Sequence, residues 1–156
     1  MTENPASSAP IQNDKIMAAL AHVSAILPFM GVIAPIVIWI TQKDKSEFVA
    51  FQALQAIAYQ LLMIFAWFVG MGCYMFSFFS IFLTIPFAGS SGEVDPTVAP
   101  FFLTGFFIPF IIFGAIFIGG AIFIIYGIVG AIMTFQGRNF HYIVIGKQLA
   151  RYLEKN

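Results

Sequence analysis

The sequence predicts an all-α protein, a polytopic transmembrane helical bundle with three long or kinked spans and a C-terminal interfacial helix, four spans being the alternative. Three observations predict it. Hydrophobic residues make up 60% of the chain and charged residues 9%, against roughly 45–50% and about 25% in soluble domains. The apolar residues fall in three blocks, 16–41, 48–88 and 101–135, each at least as long as the ~20 residues that cross a bilayer core. Six of the seven basic residues gather at two places, in the "TQKDKSE" turn (Lys43, Lys45) and after the last block (Arg138, Lys147, Arg151, Lys155), and the seventh, Lys15, is offset by Asp14; the loop "GSSGEVDPTVAP" carries only Glu93 and Asp95.

Residues 1–14, "MTENPASSAPIQND", lack the basic start and apolar core of a secretory signal and are expected to form a disordered, uncleaved polar tail. Residues 15–137 then form the transmembrane domain, with spans over 16–41, 47–88 and 101–136 and a loop over 89–100. The first block is interrupted by Pro28, Gly31 and Pro35, so it either spans once or re-enters as a short hairpin. The second, as one helix, would be ~60 Å long, about twice the hydrocarbon thickness. With no polar turn inside it, one long crossing is expected, with Gly70, Gly72 and Pro86 as break points. The third block reads the same way, with Pro109 and Gly119-Gly120 as breaks. By the positive-inside rule the "TQKDKSE" turn and the C-terminus are cytoplasmic and the acidic loop lies outside. The expected location is a membrane with these ends on its cytoplasmic side.

Residues 138–156, "GRNFHYIVIGKQLARYLEKN" from Gly137, mix aromatic and aliphatic with basic residues. They read as an amphipathic helix on the membrane surface, with Tyr142, Ile145 and Leu149 in the headgroup layer.

Polar residues inside apolar blocks are the candidate site. On a helical wheel Phe48, Gln52, Gln55, Ala56, Tyr59, Met63, Ala66 and Gly70 share one sector, and Leu54, Ile57, Leu61, Phe65 and Phe68 lie opposite. In lipid the bulky face belongs to the hydrocarbon, whereas small residues and amides belong to helix contacts. His22, Ser24, Gln52, Gln55 and Tyr59 are therefore predicted to form an intramembrane polar contact cluster. Gln60 falls off that sector and needs a second helix neighbour. In the third block Gly120, Gly127 and Ala131, with Gly130 beside them, form a helix-packing face expected to meet the glutamine-bearing face of the second.

The same residues limit the chemistry. Cys73 is the sole cysteine, which excludes an intrachain disulfide and a cysteine-based metal cluster, and it is expected to be a buried, inert thiol. No nucleophile has a base at usable spacing, and His22 and His141 belong to no ligand triad. No enzyme activity, cofactor or metal is expected, and zero net charge gives no attraction for nucleic acid. The expected partners are the lipid bilayer and a membrane protein or a second copy of the chain.

The stretches "MAALAHVSAIL", "APIVIWITQKDKSEFVAFQALQAIAYQ" and "YGIVGAIMTFQGRNFHYIVIGKQL" resemble, in that order, the signatures of the Tic20-like family of small bacterial membrane proteins. That family is named for its likeness to a chloroplast import component. The glycine faces and the lack of a large soluble domain predict a non-enzymatic membrane protein acting through helix contacts, as a scaffold, assembly factor or translocation-complex-like subunit. The resemblance implies, by analogy, a role in membrane assembly or translocation, and a place in the bacterial cytoplasmic (inner) membrane. The alternative, from the broken first block and the amide cluster, is a small oligomeric channel or transporter subunit.

Overall fold

The computed structural model describes residues 10–84, 96, 99–143 and 146, and among them there are helices and turns with no strand. Four α-helices follow in order: α1 (Gln12–Val23), α2 (Ile33–Gln42), α3 (Glu47–Thr84) and α4 (Ala99–Phe135). Two of them, over Glu47–Ser80 and Leu103–Phe135, are long and apolar enough to cross a membrane. The loop predicted over 89–100 lies outside the described residues except for Pro96, Ala99 and Pro100.

The first block is not one span. Short 3-10 turns, Ser24–Ile26 and Met30–Val32, separate α1 from α2, and the two helices pack on each other as a hairpin. Pro28 supplies no N–H to continue a helix. After it Phe29 takes φ 62°, ψ −50°, and the Met30 N–H returns to the Pro28 carbonyl at 2.7 Å. That is a γ-turn of the rare, strained hand. Gly31 is buried behind it, and a Cβ there would overlap the Ser24 carbonyl oxygen. Hence the breakers act by turning the chain rather than by kinking a span. Helix α1 also begins earlier than the predicted tail allows, since Gln12, Asn13 and Asp14 are its first three residues. The rest of the tail, residues 1–9, lies outside the described residues.

The chain divides into two units, residues 1–64 with 122–156, and residues 65–121. In the first, Ala21 of α1 packs with Ala53 and Ala56 of α3, flanked by Ile38 and Trp39 of α2. Ser46 joins the helix starts. Its hydroxyl accepts from the Val49 N–H (3.4 Å), an N-cap, and donates to the Asp14 carboxylate (2.9 Å). In the second unit the contacts are aromatic: Tyr74 lies 5.7 Å from Phe113, and an added Cβ on Gly70 would meet Ile116 at 3.0 Å. Pro109 is accommodated within α4, so the predicted break is no break.

Exposure follows the expected faces of α3 in part: Leu61, Phe65 and Phe68 are exposed and Gln52, Gln55, Ala56 and Tyr59 buried, but Ala66, expected inward, is exposed, and Leu54 and Ile57, expected outward, are half-buried. Cys73 corrects an expectation. It is exposed, because on a helix facing hydrocarbon the outward positions are the apolar ones.

Candidate functional site

All five predicted polar residues lie in the first unit, and all are buried. Gln52 and Gln55 are three residues apart on α3 and so neighbour each other on one helix face. Their ring-bearing partners come from α1 and from the segment after α4. Since Gln52 Oε1 can only accept, His22 carries its proton on Nε2 and donates it there (3.1 Å). The other ring nitrogen, Nδ1, then accepts from the Tyr142 hydroxyl (2.9 Å). Burial, with Tyr59 and Tyr126 beside it, pushes the Tyr142 phenol further above the ordinary tyrosine range. It therefore stays a neutral donor.

Gln55 does something different. Its Nε2 donates to the Phe140 carbonyl (2.9 Å) and its Oε1 accepts from the Tyr142 N–H (3.1 Å). One side-chain amide thus pairs with the backbone on both sides of His141, as a neighbouring strand would. This clamp corrects the surface-helix expectation for Tyr142. Residues 139–142 are non-helical, Phe140 and Tyr142 are buried and His141 and Ile143 exposed. Residues 144, 145 and 147–156 lie outside the described residues.

Tyr59 forms the apolar wall. Its ring stacks between Phe123 (3.7 Å, 15°) and Tyr142 (3.8 Å, 11°), and its hydroxyl donates to the Phe123 carbonyl (2.9 Å). Ser24 is not bonded to the His22 network. It donates to the Ala21 carbonyl (2.8 Å) and accepts from Gln60 Nε2 (3.0 Å), so the neighbour that Gln60 requires is α1.

The small face of α4 meets α1 and Phe140, where the sequence suggested the glutamine face. A Cβ on Gly127 would lie 2.9 Å from the Ala25 Cβ, and one on Gly130 would lie 2.9 Å from the Phe140 ring and 3.2 Å from His22 Nδ1. Ala131 is buried. Gly120 belongs to the other unit, and a Cβ there would meet nothing within 4 Å among the described residues. The reason is steric: without side chains at 127 and 130, α1 and Phe140 take the space beside α4.

Sequence reasoning missed Phe140, Tyr142 and Gly31 as parts of the site. For the first two the signal is the alternation Phe140, His141, Tyr142, Ile143, an extended period-2 pattern inside a stretch whose mix of basic and apolar residues also suits a surface helix.

One polar atom stands out. Gln52 Nε2 is buried with no hydrogen-bond partner among the described residues. Among these residues no group of three or more His, Cys, Asp or Glu could hold a metal ion. The cluster is neutral, built from amides, phenols, a hydroxyl and one imidazole, and its chemistry is hydrogen bonding between segments.

A family model, the magnetosome magnetite crystal formation protein family, matches residues 13–149. The chain belongs to that family. The match covers the whole site and both long helices, and it corrects the Tic20-like resemblance, whose three stretches all lie within it. No curated protein and no solved structure matches the chain. With its two long apolar helices, the chain is a membrane protein.

Proposed function

We propose that this chain is a non-enzymatic scaffold or assembly factor that acts through helix contacts in the membrane where magnetite crystals form. The process comes from its family. The observation that carries the mode of action is the use of the buried polar groups. Gln55, Gln60, Tyr59, Tyr142 and His22 each bond a different segment of the same chain, which supports a rigid contact module rather than a reaction centre. The positive-inside rule puts the C-terminus in the cytoplasm, in a bacterial inner-membrane system. The test is extraction from the native membrane in mild detergent, with the complex mass and co-purifying proteins measured. A stoichiometric membrane-protein partner or a defined homo-oligomer is expected. A lone chain, in cells whose crystals keep their size and shape when it is deleted, overturns the reading.

A second reading, a subunit of an oligomeric channel or transporter, is favoured by the unpartnered Gln52 Nε2, since intramembrane polar groups often mark pathways. In a Cys73→Ser background, Gln52→Cys is then reachable by a water-soluble thiol reagent. Absence of labelling in intact membranes removes this reading.

A further inference from the structure

We infer that the α1–α2 hairpin is a re-entrant element, inserted into one leaflet from the side on which α3 starts and α4 ends, with the acyl chains of that leaflet covering its tip and outer faces. Contacts within the first unit fix its depth. At one level Asp14 bonds Ser46, and Lys15 lies against Gly137, 2.8 Å from where its Cβ would stand. Deeper, His22 meets Gln52 and the Gly130 position. Deepest, Ser24 meets Gln60, and Ala25 meets the Gly127 position. So α1 runs alongside α3 in the same direction and antiparallel to α4. It stops beside Gln60, about 20 Å along α3 at ~1.5 Å per residue, short of the ~30 Å core.

The chain then turns back, and α2 ends at Gln42 before Lys43, Asp44 and Lys45. Both polar ends of the hairpin therefore sit at the level where α3 begins. Between them the surface is apolar. Leu27 and Met30 at the tip are each 61% exposed, which in water would be costly for so many neighbouring side chains. Ile16, Leu20, Ile33, Val37 and Ile40 continue that surface along both helices.

Hydrocarbon demands that a backbone pair its polar groups internally, and three N–H groups of the tip do so. The N–H groups of Leu27, Met30 and Gly31 bond the carbonyls of Ser24, Pro28 and Leu27, and Pro28 has none to pair. At the exit Lys43 Nζ stands 5.6 Å from the Trp39 ring centroid, a Trp and Lys pairing suited to the headgroup layer. An apolar groove of about 380 Å³ between α1 and α4, lined by Ile16, Leu20, Ile128 and Ile132 among others, carries the same surface onto a crossing helix. Lipid that wets α4 therefore also wets the hairpin. The chain then has two crossings, and the start of α1 lies on the same side as Arg138.

This inference rests on α3 and α4 as the crossing helices, and the test separates the two. In the Cys73→Ser chain, single variants Gln12→Cys, Leu27→Cys, Met30→Cys, Pro96→Cys and Gln136→Cys are treated with a membrane-impermeant maleimide, in intact cells and in inverted vesicles. Gln12→Cys and Gln136→Cys should label from one face and Pro96→Cys from the other. Leu27→Cys and Met30→Cys should label from neither face, and should label once detergent is added. If Gln12→Cys labels on the side opposite Gln136→Cys, the first block crosses and the inference fails. If Pro96→Cys labels on the same side as both, the crossing reading fails instead. Lipid contact is read on a bimane attached to Met30→Cys in vesicles, where mid-chain doxyl lipid should quench it more than headgroup-labelled lipid does. Equal and weak quenching by both would mean that protein, not lipid, covers the tip and would overturn the proposal.

Discussion

Gln52 and Gln55 are the same residue on the same face of α3, yet their amides are spent differently. Gln55 has both polar atoms bonded to backbone groups of the 140–142 segment; among the described residues Gln52 bonds only His22, and its Nε2 has no partner. Removing Gln55 strands a buried carbonyl and a buried N–H, each costing about 1–3 kcal/mol when unpaired. Removing Gln52 strands one imidazole N–H but also disposes of an unsatisfied amide. Gln55→Leu should therefore lower thermal stability in detergent clearly more than Gln52→Leu, as followed by the loss of the monodisperse peak on heating. Equal losses would mean that the clamp on the C-terminal segment adds nothing. The wheel could place both glutamines inward because helical periodicity is local information. It could not say which one is satisfied, since His22 and Tyr142 lie far away in the chain.

Along α4 the glycines divide by what stands opposite them. Gly127 and Gly130 leave space that α1 and Phe140 fill, whereas a Cβ on Gly120 would meet nothing within 4 Å among the described residues. Gly127→Ala and Gly130→Ala should each destabilise the protein by roughly the 1–3 kcal/mol typical of overpacking. Gly120→Ala should be neutral or stabilising by up to about 1 kcal/mol, the helix-propensity difference between the residues. Melting of the three variants in one detergent checks the contrast. The four positions Gly120, Gly127, Gly130 and Ala131 look alike on a wheel because a helix has faces whatever its neighbours are. Only the placement of the hairpin, whose turn is set by Pro28, Phe29 and Gly31, and of Phe140 after α4 decides which part of the stripe is occupied.

In the whole molecule the buried polar contacts concentrate in the unit formed by residues 1–64 and 122–156, while in residues 65–121 Pro109 is the one buried residue among those described. Amide exchange in detergent should accordingly be slower over 47–64 and 122–135 than over 65–84 and 99–121, because local opening costs most where side chains must also separate. Uniform exchange along both helices would contradict this division. What the sequence by itself determined was the solvent: apolar blocks, few charges and basic residues beside particular blocks made this a helical membrane protein with an inward polar face on α3. Composition and period are enough for that, because the hydrocarbon layer imposes length and internal pairing on any chain that enters it. Only the tertiary structure decided that the first block turns back instead of continuing, that Tyr142 is buried under the Gln55 clamp rather than lying in the headgroups, and that α1 takes the space beside Gly127 and Gly130. Each depends on two segments distant in the chain meeting at one depth, a relation that neither composition nor periodicity encodes.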